Sequence, residues 1–223
     1  RINRLIRNKR RLIGLLREQK QAIINHAVTR GIDPNVPLKP SGIPWLGNIP
    51  EHWETRRLKY VFQELDEKTE TGEEILFSMR LHAGLVPHTS VSDKPITPEQ
   101  LIGYKRVHPG QMVMNRMRAA LGMFNEVPDT GLVSPDYAIF KPIADIRIAY
   151  YVQLFKTENM KKEFRIESKG LGTGEAGFLR LYTDRFGRIE VPVPPLADQD
   201  QILNWIDAEC VDINAAITRA ERE

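Results

Sequence analysis

Apolar residues recur at steps of three and four over the first thirty positions: Ile2, Leu5, Ile6, Leu12, Ile13, Leu16, Ile23 and Ala27. That spacing predicts one long amphipathic helix. Gly31 and Asp33-Pro34 stop it. At 1.5 Å per residue it makes a rod of about 45 Å. The same period returns at the other end of the chain. Pro194-Pro195 closes the preceding segment, and Asp198 and Asp200 stand where a helix dipole favours negative charge. Ile202, Ile206, Ile213, Ala216, Ile217 and Ala220 then form a second stripe. The simplest way to bury both stripes is an antiparallel coiled-coil pair, with Ile2, Leu5, Leu12, Leu16 and Ile23 facing Ile202, Ile206, Ile213 and Ile217.

Between the stripes the period changes. Short β-prone runs fall at 75–79, 111–117, 123–127, 136–141 and 188–193, separated by Pro and Gly. Helical spacing covers 98–102 and 146–164, where Tyr150, Tyr151, Leu154 and Phe155 are placed to fill a core. Strands and helices do not alternate regularly, so the class is α+β. The expected organisation is a helix over 1–31, a mixed domain over 32–195 and a second helix over 196–223.

The two helical segments also share letters. Ile2-Asn3-x-x-Ile6 returns as Ile213-Asn214-x-x-Ile217. Both ends of the sequence lie inside helical patterns, which reads as a fragment, or a processed piece, of something longer.

Charge sharpens the picture. Residues 1–30 hold nine Lys/Arg against Glu18 alone, within a net charge of +3 for all 223 residues, so the remainder of the chain is acidic. A basic first helix suits an acidic partner or nucleic acid. No apolar run approaches the roughly 18 residues of a membrane span, and no signal-peptide pattern opens the chain. A single cysteine, Cys210, excludes an internal disulfide and points to a reducing cytoplasm.

Catalytic motifs are sparse. The glycine-rich stretch from Lys169 to Gly177 lacks the Gly-Lys-Ser/Thr ending of a phosphate loop, and no apolar strand precedes it. No His-x-x-x-His or Cys-x-x-Cys pair offers a zinc site, and no cofactor or metal is expected. Pro135-Asp136 followed by Glu167-Ser168-Lys169 matches a loose metal-dependent nuclease pattern, in which two carboxylates hold a cation and the lysine stabilises developing charge.

Three stretches carry a family resemblance: GIPWLGNIPEHWETRRLKYVF at 42–62, VHPGQMVMNRMRAALGMFN with GLVSPDYAIFKP across 107–142, and IEVPVPPLADQDQILNWID at 189–207. Together they resemble the DNA-specificity subunit of type I restriction–modification enzymes. The basic first helix is similar to that family's central conserved helix, and the last to its distal one. Asp198 stands where the family usually has Glu. The resemblance implies a non-catalytic subunit whose recognition domain reads a half-site of double-stranded DNA. Its helices would space the domains and dock methyltransferase subunits, with the restriction subunit joining through the assembled complex. A half-length chain of this kind could also form a homodimer through its helices and read a palindrome. The rival classes are the metal-dependent nuclease and a coiled-coil scaffold that reads no DNA.

Base reading needs forked donors on a surface that enters the major groove. Strand alternation through 111–117 predicts Asn115 on one face and Arg116 with Arg118 on the other, with salt bridges to Glu126 or Asp129 as the structural alternative. Ser134 and Tyr137 sit at a strand entry. Lys169, Arg180 and Tyr182 flank the glycine-rich loop, and Arg80 with His82 completes the candidate set.

Overall fold

The computed structural model describes residues 2–81, 83–171 and 178–222. The elements in chain order are α1 (Ile2–Arg30), β1 (Leu38–Pro40), β2 (Asn48–Pro50), β3 (Glu54–Arg57), β4 (Phe62–Leu65), β5 (Phe77–Arg80), β6 (Gly84–Pro87), α2 (Pro98–Leu101) and β7 (Lys105–Val107). There follow β8 (Met112–Asn115), β9 (Phe124–Glu126), β10 (Gly131–Val133), β11 (Tyr137–Pro142), α3 (Ile148–Phe155), α4 (Glu158–Glu167), β12 (Lys169–Leu171), β13 (Phe178–Arg180), α5 (Thr183–Phe186), β14 (Glu190–Val193) and α6 (Leu196–Arg222). They divide into two compact units, one of residues 1–53 with 194–223, the other of 54–193.

In the first unit α1 and α6 pack side by side. Arg17 Nη2 donates to Glu221 Oε1 at 2.8 Å, and Lys20 Nζ to Asn214 Oδ1 at 2.8 Å. Rising numbers on one helix meet falling numbers on the other, so the pair is antiparallel, as the two stripes predict. Both polar links are exposed and contribute little. The buried seam holds the pair. On α6 it runs through Ile202, Ile206, Cys210, Ile213 and Ala220, and on α1 through half-buried Ile13, Leu16 and Ile23 to buried Ile24, Ala27 and Val28. Each fully buried Ile is worth about 1.5–3 kcal/mol. Leu12 is 50% exposed and stands off this line. Ile217 is half-buried, and the side chains of Ile2 and Leu5 lie outside the described residues.

The family-like motifs lock this unit together. Gly31 ends α1 at φ +77°, its N–H bonding Ala27 O at 3.0 Å. A Cβ built there would lie in ordinary contact with the Trp53 ring at 3.5 Å, so it is the positive φ that calls for glycine. The Trp53 indole donates to Asp198 Oδ2 at 2.8 Å, and His52 Nε2 lies 2.7 Å from the same oxygen. Buried Gln199 turns its amide back to Pro194 O at 2.8 Å. The Trp-containing entry and the Pro-Pro-Leu-x-x-Gln turn thus serve the fold, by pinning the first turn of α6.

The second unit is built on an antiparallel sheet of order β4-β11-β8-β9. By register Met112, Met114, Phe124 and Phe140 share one face. That face meets Tyr151, Phe155, Phe164 and Phe186 from α3, α4 and α5, with ring centroids as close as 4.7 Å. Val113 and Ile139 face the other way, onto Phe77, Met79 and Leu85 of the β5–β6 hairpin and Val107 and Val133 of the β7–β10 pair. A strand covered on both faces needs apolar residues at successive positions, which accounts for the run Met112-Val113-Met114. The α+β class holds.

Two expected elements differ. The helix over 146–164 is two helices, because Thr157 breaks it. Its hydroxyl bonds Leu154 O at 2.7 Å and accepts from Met160 N at 3.4 Å, capping α4. The strand over 111–117 ends at Asn115, because Asn115 Oδ1 accepts from Met117 N at 3.1 Å and turns the chain.

Candidate nucleic-acid interface

The turn after Asn115 positions the first candidates. Arg118 N bonds Asn115 O at 3.0 Å, and a single 3-10 turn (Ala119–Leu121) follows. That turn closes on Gly122 at φ +74°, where a Cβ would meet Phe155 O at 3.1 Å and Lys156 Cα at 3.2 Å. It packs on α4. Leu181 N donates to Arg116 O at 2.9 Å, so the turn is also tied to the end of β13.

Arg116 and Arg118 do not share a face, since neither is in a strand. Arg116 is turned inward, its side chain 13% exposed and ion-paired with Glu64 of β4. The partner is Glu64, in place of the expected Glu126 or Asp129. Arg118 is exposed and, among the described residues, bonds no acid. Asn115 is half-buried at the sheet end, opposite Tyr137 in register. Tyr137 is also half-buried and packs on the hairpin-side core. Ser134 shapes the entry to β11, its hydroxyl accepting from Asp136 N at 3.3 Å.

Lys169 and Arg180 face each other across β12 and β13. Lys169 is exposed. Arg180 Nη1 donates to Asp136 Oδ1 at 3.1 Å, and its guanidinium lies 5.6 Å from the Tyr182 ring centroid. The ladder joins these residues to the turn through Leu181, so seven candidates form one neighbourhood: Asn115, Arg118, Ser134, Tyr137, Lys169, Arg180 and Tyr182. Arg80 is exposed at the end of β5, with Nη2 donating to Val91 O at 3.4 Å. It pairs with Gly84, whose position abuts Asn125 of β9. His82 lies outside the described residues.

Electrostatics decide which cations remain available. The Nε atoms of Arg116, Arg180 and Arg185 are buried without a partner, while their terminal nitrogens meet Glu64, Asp136 and Glu167. The nuclease-like carboxylates are therefore both taken: Asp136 by Arg180 at 3.1 Å and Glu167 by Arg185 at 3.4 Å. Among the described residues no group of three or more His, Cys, Asp or Glu stands where it could hold a metal ion. No described helix is long and apolar enough to cross a membrane.

Sequence reasoning missed Lys162 and Arg165, both exposed on α4. Their signal was present, two cations three residues apart on a helix whose buried Met160 and Phe164 define the inner side.

No protein-family model matches the sequence, and neither does any curated protein. Solved structures do. The crystal structure of the HsdS subunit from Thermoanaerobacter tengcongensis superposes with a TM-score of 0.52 at 16% identity, covering 100% of this chain and 49% of that one. A chain from a structure titled for complex assembly and conformational transition of the type I R-M system gives a TM-score of 0.52 at 16% identity, over 99% of this chain and 52% of that one. The chain thus has the HsdS fold and spans about half the length of the solved structures it matches.

Proposed function

We propose that this chain is the recognition half of a type I specificity subunit. Residues 54–193 read a short half-site of duplex DNA, and the α1–α6 pair docks methyltransferase subunits. Catalysis resides in those partners. The observation that carries the reading is the sheet-end neighbourhood on an HsdS-like fold. There the Asn115 amide, its Oδ1 already accepting from Met117 N, keeps its N–H donors for a base-edge acceptor, and Arg118 offers an uncommitted guanidinium at the same turn, the fork suited to a guanine edge. Lys169, Ser134 and Tyr182 surround them with groups suited to phosphate. Arg116 drops out of the reading set, because its guanidinium is held by Glu64.

The test is selection from a randomised duplex pool, with and without the methyltransferase subunit. The expected result is a short enriched half-site that Arg118→Ala relaxes at one or two positions. Enrichment of no sequence under either condition would overturn the reading and leave the coiled-coil scaffold in its place.

A further inference from the structure

The face of α4 turned away from the core is a second cationic surface, distinct from the base-reading turn. Met160 and Phe164 are fully buried and fix the inner side of the helix. At 100° per residue, Lys162 falls on the opposite side and Arg165 flanks it, with exposed Ile166 on the other flank of the same outer face. Both cations are exposed. Lys169, exposed at the start of β12, continues the line just past the helix end.

The acids of α4 do not neutralise this face. Glu158 accepts from Lys161 at 2.8 Å, and Glu167 is bonded to Arg185 at 3.4 Å. Glu163 is half-buried toward the other side, where burial and the neighbouring Glu167 charge raise its carboxyl pKa. Lys162, Arg165 and Lys169 are left without an acidic partner among the described residues. A cation in the last turn suits the helix dipole, which accounts for Arg165 alone and leaves Lys162 unexplained.

The placement gives the face its direction. The 3-10 turn that Arg118 opens packs on α4, with Gly122 against Lys161. Arg165 lies one helical turn along the same side as Lys161. Lys169 pairs with Arg180. The cationic line therefore runs beside the turn that carries Asn115 and Arg118 and ends in the β12–β13 ladder.

We infer that Lys162, Arg165 and Lys169 form a backbone clamp that holds the phosphates of duplex DNA flanking the bases read at the Asn115–Arg118 turn. The occupant is a polyanion with closely spaced charges, one per about 1.7 Å of duplex axis. Long, flexible lysine and arginine side chains at one-turn spacing match such an array without needing sequence. This clamp rests on the DNA-reading proposal and adds to it the part of the surface that sets affinity rather than specificity.

The experiment compares Lys162→Gln with Arg165→Gln, as a double variant, against a control of equal charge change, Lys59→Gln with Lys141→Gln. The control residues lie toward the opposite end of the sheet, where Phe62 pairs with Pro142. The probe is a duplex carrying the selected half-site and a second duplex without it, each titrated against salt. Each lost phosphate contact lowers the steepness of log K against log salt by about 0.9, so the α4 double variant should be shallower by about 1.8. Between about 50 and 200 mM salt it should then lose about tenfold less affinity than the unmodified chain. Both duplexes should be weakened equally, the selected half-site unchanged, and the control unaltered. An α4 variant that keeps the wild-type salt slope while still selecting the half-site overturns the clamp and leaves the reading intact. An equal effect in the control also overturns it, by reducing the effect to net charge. Failure of the unmodified chain to bind either duplex overturns both proposals.

Discussion

Arg116 and Arg118 are two residues apart and chemically identical, yet the structure gives them different roles that substitution separates. Arg116→Met removes a guanidinium whose side chain is 13% exposed and leaves Glu64, 27% exposed, without its cation. Breaking a buried pair by removing one partner costs about 3–5 kcal/mol. Glu64 retains part of its hydration, which brings the expectation to about 2–3 kcal/mol. For a unit of this size each kcal/mol shifts Tm by about 2–4 °C, so the drop should be about 4–12 °C. The double variant Arg116→Met with Glu64→Leu should recover most of it, since neither charge is then stranded. Arg118→Met should change stability by no more than about 0.5 kcal/mol, as expected for an exposed side chain without partners. It should instead weaken binding to the selected half-site by about 1–3 kcal/mol and relax specificity at the base it reads. Calorimetric unfolding of each variant beside a salt-titrated binding isotherm reads both quantities. If Arg116→Met left Tm unchanged while weakening DNA binding, the Glu64 pair would not be the resting state of that arginine. The distinction between spent and available cations would then fail.

Two further outcomes follow from the packing. Asp198→Ala strands the indole N–H of fully buried Trp53, which should cost about 1–3 kcal/mol. Asp198→Asn, which keeps an acceptor oxygen, should cost less. A full-cost Asn variant would show that charge, not the hydrogen bond, matters there. In the second unit the hydrogen bond from buried Lys105 holds the Asp66 carboxyl below the usual carboxylate range. A lowered folded-state value adds stability that is complete above the unfolded pKa, about 3.9, and is lost as pH falls through the folded value. Asp66→Asn should therefore flatten the decline of stability below about pH 4 and leave its shape above about pH 5 unchanged. An identical acid limb in both proteins would remove Asp66 from the acid response.

The long periodic elements were legible because a single local rule governs them. Ile202, Ile206 and Ile213 fall where helical spacing puts them, and the run Met112-Val113-Met114 announces a strand. Local chemistry that competes with a period was harder to read. Thr157 lies inside an apolar helical pattern and splits it by capping α4 with its own hydroxyl. Asn115 ends β8 by accepting from Met117 N, which cancels the alternation that would have paired Arg116 with Arg118. In α1 the cluster Leu12, Ile13, Leu15 and Leu16 supplies apolar residues on several faces. The period alone does not choose between them, and the partner helix selects Ile13 and Leu16. Cys210, read as a marker of compartment, occupies the seam four residues after Ile206 and three before Ile213.

What sequence spacing could not supply was the pairing of charges across long separations, on which the proposed reading surface depends. Glu64 lies 52 residues from Arg116, and Asp136 lies 44 from Arg180. No local pattern links either pair. The acids differ in how firmly they hold. Glu64 is 27% exposed and confronts a nearly buried guanidinium, so breaking the pair would leave the Arg116 charge largely desolvated without its counter-ion. Asp136 is 63% exposed, and a water-facing carboxylate gives up its partner at little cost. If residues 54–193 read DNA as proposed, Arg180 is the arginine that exchanges Asp136 for a phosphate, while Arg116 stays with Glu64. Arg118 needs no exchange at all. The exposure of the partner separates Arg116 from Arg180, and the lack of an acidic partner among the described residues sets Arg118 apart, so in the proposed reading the three grade from structural through exchangeable to free.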